Sequence, residues 1–266
     1  QEDERMKKRL MAAVLSTAMA ATMLLTGSIS VQAADAAAAN DPAVELIFTS
    51  VSVSGDSHTE AMYEFADKVE ELSGGSVTCK CYDNGSLFSS ENEFDALLNG
   101  DADLAYISFP TIATQIPSYS MFASGYLFSS YEHMTSVLNG DIGLNKIRPQ
   151  IEETLNIKPL SSFYLGSRVI NTREKEINSY DDMNGLLLRM PNSEAWLFLG
   201  EALGANPTPL SFSELYTALQ TGAVDAQDNP LPSIESAKFY EVTKYIAITN
   251  HVVDSIMPCI NGDTWN

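Results

Sequence analysis

The pattern that most restricts the fold of this chain occurs twice. Ala96-Leu97-Leu98-Asn99-Gly100-Asp101-Ala102-Asp103 and Ala218-Leu219-Gln220-Thr221-Gly222-Ala223-Val224-Asp225 share one layout: the end of a helix, a glycine stop, an acidic residue and the approach to a strand. Before the first copy, Val44–Phe48 reads as a buried strand. His58–Leu72 carries Met62, Phe65, Ala66, Val69 and Leu72 on one helical face, stopped by Gly74-Gly75. Ser76–Tyr82 is a second strand, Asp83-Asn84-Gly85 a turn, and Asp103–Ile107 a third strand. Before the second copy, Leu186–Leu188 reads as a strand ending at Arg189. A helix over Ser193–Leu203 and a short extended piece over Asn206–Leu210 follow, and Ala223–Ala226 is the next strand. Ser90 with Glu93, and Ser211 with Glu214, match the capping box that opens a helix. Strands alternating with helices predict α/β architecture, a mostly parallel sheet covered by helices, built twice. Two lobes of roughly 100–130 residues fit the length. The expected division is 34–164 for lobe one and 165–254 for lobe two, with 255–266 returning to lobe one. Helices over Tyr119–Leu160 finish lobe one, one strand crosses near Pro159–Gly166, and another returns near Ser255–Asn261.

The N-terminus has a different character. Lys7-Lys8-Arg9 precede an apolar, small-residue run from Leu10 to Leu25, and Val31-Gln32-Ala33 closes it. This is the order of a secretory signal peptide, with cleavage expected after Ala33 and residues 1–5 lying upstream of Met6. A retained anchor is the alternative. A lipid anchor calls for cysteine after the apolar run, where Ser28 stands. The three cysteines, Cys79, Cys81 and Cys259, are expected to be small buried residues, because neighbours at i and i+2 of a strand are poorly placed for a disulfide. His58, His133 and His251 are scattered, so no metal site and no cofactor is expected.

The formal net charge is −20. Such a chain repels nucleic acid and anionic membrane surfaces. Beyond the leader only Arg148, Arg168, Arg173 and Arg189 remain, all in one stretch. An anion site, if present, must draw its charge from there. In open parallel sheets, ligands bind outside the carboxyl ends of the strands. Arg189 ends an apolar strand just before a helix start, where backbone N–H groups also favour an anion. Arg168 follows the expected crossing strand. A guanidinium offers a planar fork matching a carboxylate. The competing reading makes both arginines solvent-exposed ion-pair partners, and the apolar run before Arg189 speaks against it there. Arg173, within Thr172-Arg173-Glu174-Lys175-Glu176, belongs to a solvated face. Phe212 is either a pocket floor or ordinary core. Asn229, before Pro230, either caps a loop or contacts a ligand. None of the nucleophile-elbow, phosphate-loop, zinc-protease or dithiol motifs occurs.

Longer stretches add a resemblance. Leu165-Gly166-Ser167-Arg168, Met183–Asn192, Pro207–Asp225, Gln227–Leu231, Lys238–Val242 and Thr249-Asn250-His251 resemble the solute-binding subunits of TRAP (tripartite ATP-independent periplasmic) transporters, of the dicarboxylate- and sialic-acid-binding type. The resemblance implies the two-lobed periplasmic-binding-protein (Venus-flytrap) fold. It implies an exported, monomeric receptor for a small organic carboxylate, working with the membrane subunits of a transporter. It also implies roles: Arg189 holds the carboxylate, Arg168 is a second cationic contact, Asn229 hydrogen-bonds the same group, and Phe212 packs on the ligand, with Asn192 and Ser108 lining the site. In sialic-acid binders the position of Ser108 is acidic, which counts against that sugar here. The resemblance further implies C-terminal helices beyond Asn266, so the chain is expected to be a fragment. The alternatives are a ligand sensor of the same fold and, from another class, a secreted hydrolase.

Overall fold

The computed structural model describes residues 43–266. The leader expected over 1–33 and its cleavage near Ala33 lie outside the described residues. Among the described residues no helix is long and apolar enough to cross a membrane.

The first half of the body opens with strand β1 (Val44–Thr49), helix α1 (Ser57–Leu72) and strand β2 (Val77–Tyr82). Helix α2 (Glu93–Asn99), strand β3 (Leu104–Ile107) and the short helix α3 (Phe109–Ile112) follow. After a 3-10 turn come α4 (Tyr131–Leu138), a π turn, α5 (Arg148–Leu155) and β4 (Ile157–Pro159). Strand β5 (Phe163–Thr172) leads into β6 (Leu187–Met190), α6 (Glu194–Ala202), β7 (Asn206–Pro209), α7 (Phe212–Thr221), β8 (Ala226–Pro230) and α8 (Leu231–Ser236). The long β9 (Tyr245–Asn261) and a last turn, α9 (Gly262–Trp265), complete it.

The strands order as β2-β1-β3-β9-β5-β8-β6-β7, with β4 also on β9. Each half has three parallel strands, β2-β1-β3 and β7-β6-β8. Each closes with an antiparallel partner, β9 on β3 and β5 on β8. The two closing strands pair with each other from Phe163–Ile256 to Thr172–Tyr245. Beyond Ile256, β9 leaves β5 and pairs with β3 and β4. The two halves are therefore a mixed α/β pair built on the same strand order.

Buried alternation explains the apolar runs. Leu104 and Tyr106 of β3 join Phe48 and Met62 on one face, while Ala105 and Ile107 pack with Leu97 and Met134 on the other. On β5, Val169 packs with Leu215 and Phe239, and Ile170 with Leu188 and Trp196. A strand covered on both faces needs no polar alternation.

The repeated motif has a physical cause. Gly100 and Gly222 each end a helix at φ +79°, the left-handed geometry that glycine adopts freely. Asp103 then donates its N–H to Ile47 O while its carboxylate accepts from Ile47 N at 2.7 Å. Asp225 does the same to Leu187, with the carboxylate bond at 3.0 Å. Each aspartate locks the strand after its helix to the first strand of its half.

Several expected details differ. Neither capping box forms. Asn92, not Ser90, precedes α2, and Glu93 is buried rather than folded back over the helix end. Ser211 does precede α7, but its hydroxyl turns to Ser213 and Ser90, at 3.1 and 3.2 Å. The strand expected over Ala223–Ala226 begins only at Ala226, because Ala223 and Val224 still donate to Ala218 O at the helix end, and Asn229 lies within that strand. The crossing strand runs to Thr172 and contains Arg168, and β9 begins ten residues before the expected Ser255. Arg189 lies inside β6, one residue from its end. Cys259 is buried, but Cys79 and Cys81 are only half-buried because β2 is an edge strand.

Candidate ligand-binding site

A cavity of about 400 Å³ opens at the carboxyl ends of β1, β3, β6 and β8, between the two halves. That is where the ends of parallel strands leave side chains and helix N-termini facing a crevice. All six sequence-predicted residues, Ser108, Arg168, Arg189, Asn192, Phe212 and Asn229, line it. Arg173 does not; it packs against Gly222 on the far side of the second half.

The two arginines differ in their electrostatic state. Arg168 is fully enclosed by acceptors. Its Nε donates to Asp228 Oδ2 at 2.9 Å, its Nη2 to Asp228 Oδ1 at 2.9 Å, and its Nη1 to Asp254 Oδ2 at 2.7 Å. Its guanidinium also lies 4.4 Å from the centroid of Trp196. Burial works against the charge, but Asp228 and Asp254 hold the guanidinium above its ordinary value. Asp228, fully buried, also meets His251 Nε2 at 3.1 Å. Burial alone would raise the Asp228 carboxyl; Arg168 and His251 outweigh it and bring it down to about 2. Asp254 goes the other way: burial raises it beyond what Arg168 restores, and Asp228 beside it adds to the rise.

Arg189 has no such neutralisation. It is 2 % exposed, and its Nε donates to Leu210 O at 2.8 Å. Neither Nη donates to any acceptor among the described residues, and no carboxylate pairs with it. Its Cζ stands 5.9 Å from the Phe212 ring, which in turn packs edge-on against Phe239. Burial, reinforced by the neighbouring positive Arg168, pushes its pKa down to about 10. The β6 backbone and the Leu210 carbonyl thus fix a guanidinium fork whose outer edge is unpaired at the cavity wall.

Asn229 accepts from Arg168 at 3.4 Å and donates to Gln227 Oε1 at 2.6 Å. Gln227 donates to Asn171, and Asn171 to Thr243 and the Tyr245 carbonyl. This ladder of amides runs along β5 and β8 and fixes the orientation of Asn229. Phe212 is both cavity wall and edge of the core, so the two readings of it hold together. Ser193 caps α6, accepting from Trp196 N at 3.4 Å, so that helix aims its N-terminus past Asn192 toward the cavity. Ser108 bonds Thr111 at 2.9 Å at the opposite wall.

Sequence reasoning missed Glu93, Trp196, Asp228 and Asp254. Asp254 carried a signal, a lone acid in the apolar run Val252-Val253-Asp254-Ser255-Ile256. Asp228 carried none, since the polar run Gln227-Asp228-Asn229 reads as exposed loop. Among the described residues no group of three or more His, Cys, Asp or Glu is arranged to hold a metal ion.

Comparison with known proteins identifies the family. Residues 48–266 match the family model DctP, described as bacterial extracellular solute-binding protein, family 7. The sialic acid-binding periplasmic protein SiaP of Vibrio cholerae is 36 % identical over 200 residues, covering 75 % of this chain and 62 % of that protein. A crystal structure of a TRAP periplasmic solute-binding protein from Roseobacter denitrificans, with bound 3-deoxy-D-manno-oct-2-ulosonic acid, superposes at TM-score 0.79. The pair are 40 % identical, and the match covers 85 % of this chain and 73 % of the other. One from Sulfurospirillum deleyianum with bound succinate also gives 0.79, at 27 % identity, over 85 % and 72 % of the two chains. The match spans 61–62 % of the length of the first three curated relatives. With its paired α/β halves, its cavity at the strand ends and this sequence match, the chain belongs to the DctP family, the bacterial extracellular solute-binding proteins of family 7.

Proposed function

We propose that this chain is the receptor of a TRAP-type transporter, capturing a small organic carboxylate outside the cytoplasm and delivering it to the membrane subunits without catalysis. The carrying observation is Arg189: a buried guanidinium with an unpaired outer edge, in a chain of net charge −20. A charge kept buried without a protein counter-ion is costly, and a ligand carboxylate arriving in two parallel bonds relieves that cost. Arg168, already neutralised by Asp228 and Asp254, orients Asn229. Relatives support the carboxylate class: their structures hold a sugar acid and a dicarboxylate.

In this reading the lobes divide as 34–164 and 165–254, with 255–266 returning, and β5 and β9 form the hinge. Ser90 Oγ with Ser211 Oγ and Ser236 Oγ with Asp56 Oδ2, contacts of 3.2 Å each, already join the two halves across the cavity. A ligand held by both halves favours the joined state by its differential affinity. The protein acts as a monomer, exported by a leader cleaved near Ala33. The test is mass spectrometry of acids released from natively purified protein, followed by calorimetry of each. Recovery of carboxylates that bind wild type but not Arg189→Ala supports the reading. A ligand without any anionic group, bound equally by both proteins, overturns it.

A further inference from the structure

The cavity is electrically asymmetric. Both of its arginines come from the second half, on β5 and β6. Among the described residues the wall from the first half contains no lysine or arginine; it presents the acids Asp56, Glu91, Glu93 and Asp95, with Thr114 and Gln115. Asp56 is engaged by His58 at 2.7 Å, and Glu91 by Ser90 at 3.1 Å. Glu93 is different. It is 5 % exposed, and among the described residues the one group its carboxyl meets is the Thr49 hydroxyl, with no cation beside it. That hydroxyl is itself buried and has no other partner. A buried acid with so little neutralising contact is costly, and Glu93 lines the cavity.

We propose that Glu93 reads hydroxyl groups at the ligand end remote from Arg189, so that the cavity selects polyhydroxylated monocarboxylates against dicarboxylates. This rests on the carboxylate-receptor reading and specifies its ligand. Burial pushes the Glu93 carboxyl well above the ordinary range, against the opposing pull of Thr49. A neutral carboxyl donates through its O–H and accepts through its carbonyl, as a ligand hydroxyl both donates and accepts, so the two satisfy each other. A second carboxylate placed there would face the acids Asp56, Glu91 and Asp95, with no lysine or arginine on that wall among the described residues, so like charges oppose it.

Calorimetry of the purified chain at neutral pH tests this with 3-deoxy-D-manno-oct-2-ulosonate and galactonate on one side, and succinate and galactarate on the other. Galactarate differs from galactonate only by a carboxylate in place of the terminal hydroxymethyl. Wild type should bind its better hydroxylated monocarboxylate at least about tenfold tighter than either dicarboxylate, the loss expected when one buried polar group goes unsatisfied. Glu93→Leu should weaken that acid by about tenfold and narrow the ratio, while Glu93→Gln, which keeps a donor and an acceptor, should hold within about threefold. A wild type that binds a dicarboxylate as tightly overturns the proposal whatever the variants do. So does a Glu93→Leu protein of unchanged thermal midpoint that keeps the wild-type ratio. In both cases carboxylate binding lost in Arg189→Ala leaves the receptor reading standing. Failure of all four acids to bind overturns the proposal, and the receptor reading then stands or falls on the acids recovered from the native protein.

Discussion

Replacing Arg189 by lysine separates its charge from its geometry, and the outcome depends on pH. In the wild type only Nε is occupied, at 2.8 Å from the Leu210 carbonyl, so two Nη groups can meet a carboxylate. Two charge-assisted hydrogen bonds, taken at the low end of about 1.5 kcal/mol each because burial already opposes the charge, contribute about 3 kcal/mol, or about a hundredfold in affinity. Arg189→Ala should lose that factor at every pH. Lysine keeps a charge but makes no parallel pair, so at pH 6 it should recover about half the free energy. Burial and the neighbouring Arg168 depress the wild-type guanidinium to about 10. A lysine starts about two pH units below arginine, so the same surroundings bring Arg189→Lys much closer to neutrality. Only the protonated form binds. The affinity of Arg189→Lys should therefore fall as pH rises, about tenfold per unit once the ammonium is deprotonated, while wild type stays level to about pH 9.5 because a guanidinium keeps its proton. Calorimetry from pH 6 to 9.5, using any acid recovered with the native protein and with Arg173→Ala as the control outside the cavity, reads this out. Parallel pH profiles for wild type and Arg189→Lys, or a loss in Arg173→Ala equal to that in Arg189→Ala, would refute the reasoning.

Asp228 is held at about 2 in the fold, below its ordinary 3.8, so it contributes stability above pH ~4 that is lost as pH falls toward 2, about 2 kcal/mol in all. In urea unfolding Asp228→Asn should lack this acid limb and, at pH 7, should be about 3 kcal/mol or more less stable, because Arg168 is left with Asp254 alone; a variant with the wild-type midpoint and the wild-type acid limb contradicts the pairing. Gly166 has φ +131°, and a Cβ there would stand 2.4 Å from Pro230 Cβ in the adjoining strand. Gly166→Ala should cost about 2 kcal/mol or more in thermal unfolding, since a proline ring in a paired strand has little room to move; an unchanged midpoint would show that β8 shifts freely. N-terminal sequencing of the exported protein should begin at or near Ala34, and a secreted species that still carries Lys7 to Leu25 would exclude cleavage.

The sequence by itself determined the architecture, because the devices that build it are local. Helical apolar spacing in α1, the glycine stops at Gly100 and Gly222, and the strand-locking Asp103 and Asp225 each act over a few residues or one neighbouring strand, so their repetition exposed two halves of one design. It also placed Arg189 well, since an arginine at the end of an apolar strand has few places to put its charge. What only the tertiary structure decided is which polar groups are left without partners. Arg168 and Arg189 look alike in sequence. The fold brings Asp228 and Asp254 from two distant strands onto the first and gives the second only a backbone carbonyl. Likewise Ser90-Glu91-Asn92-Glu93 reads as a helix cap until the chain turns Glu93 inward, away from the helix end and into the cavity wall. Pairing of charges depends on contacts between residues far apart in the chain, and the energy of an unpaired group depends on burial by the whole molecule. Neither quantity is carried by any short stretch of residues, and the difference between the two arginines rests on both.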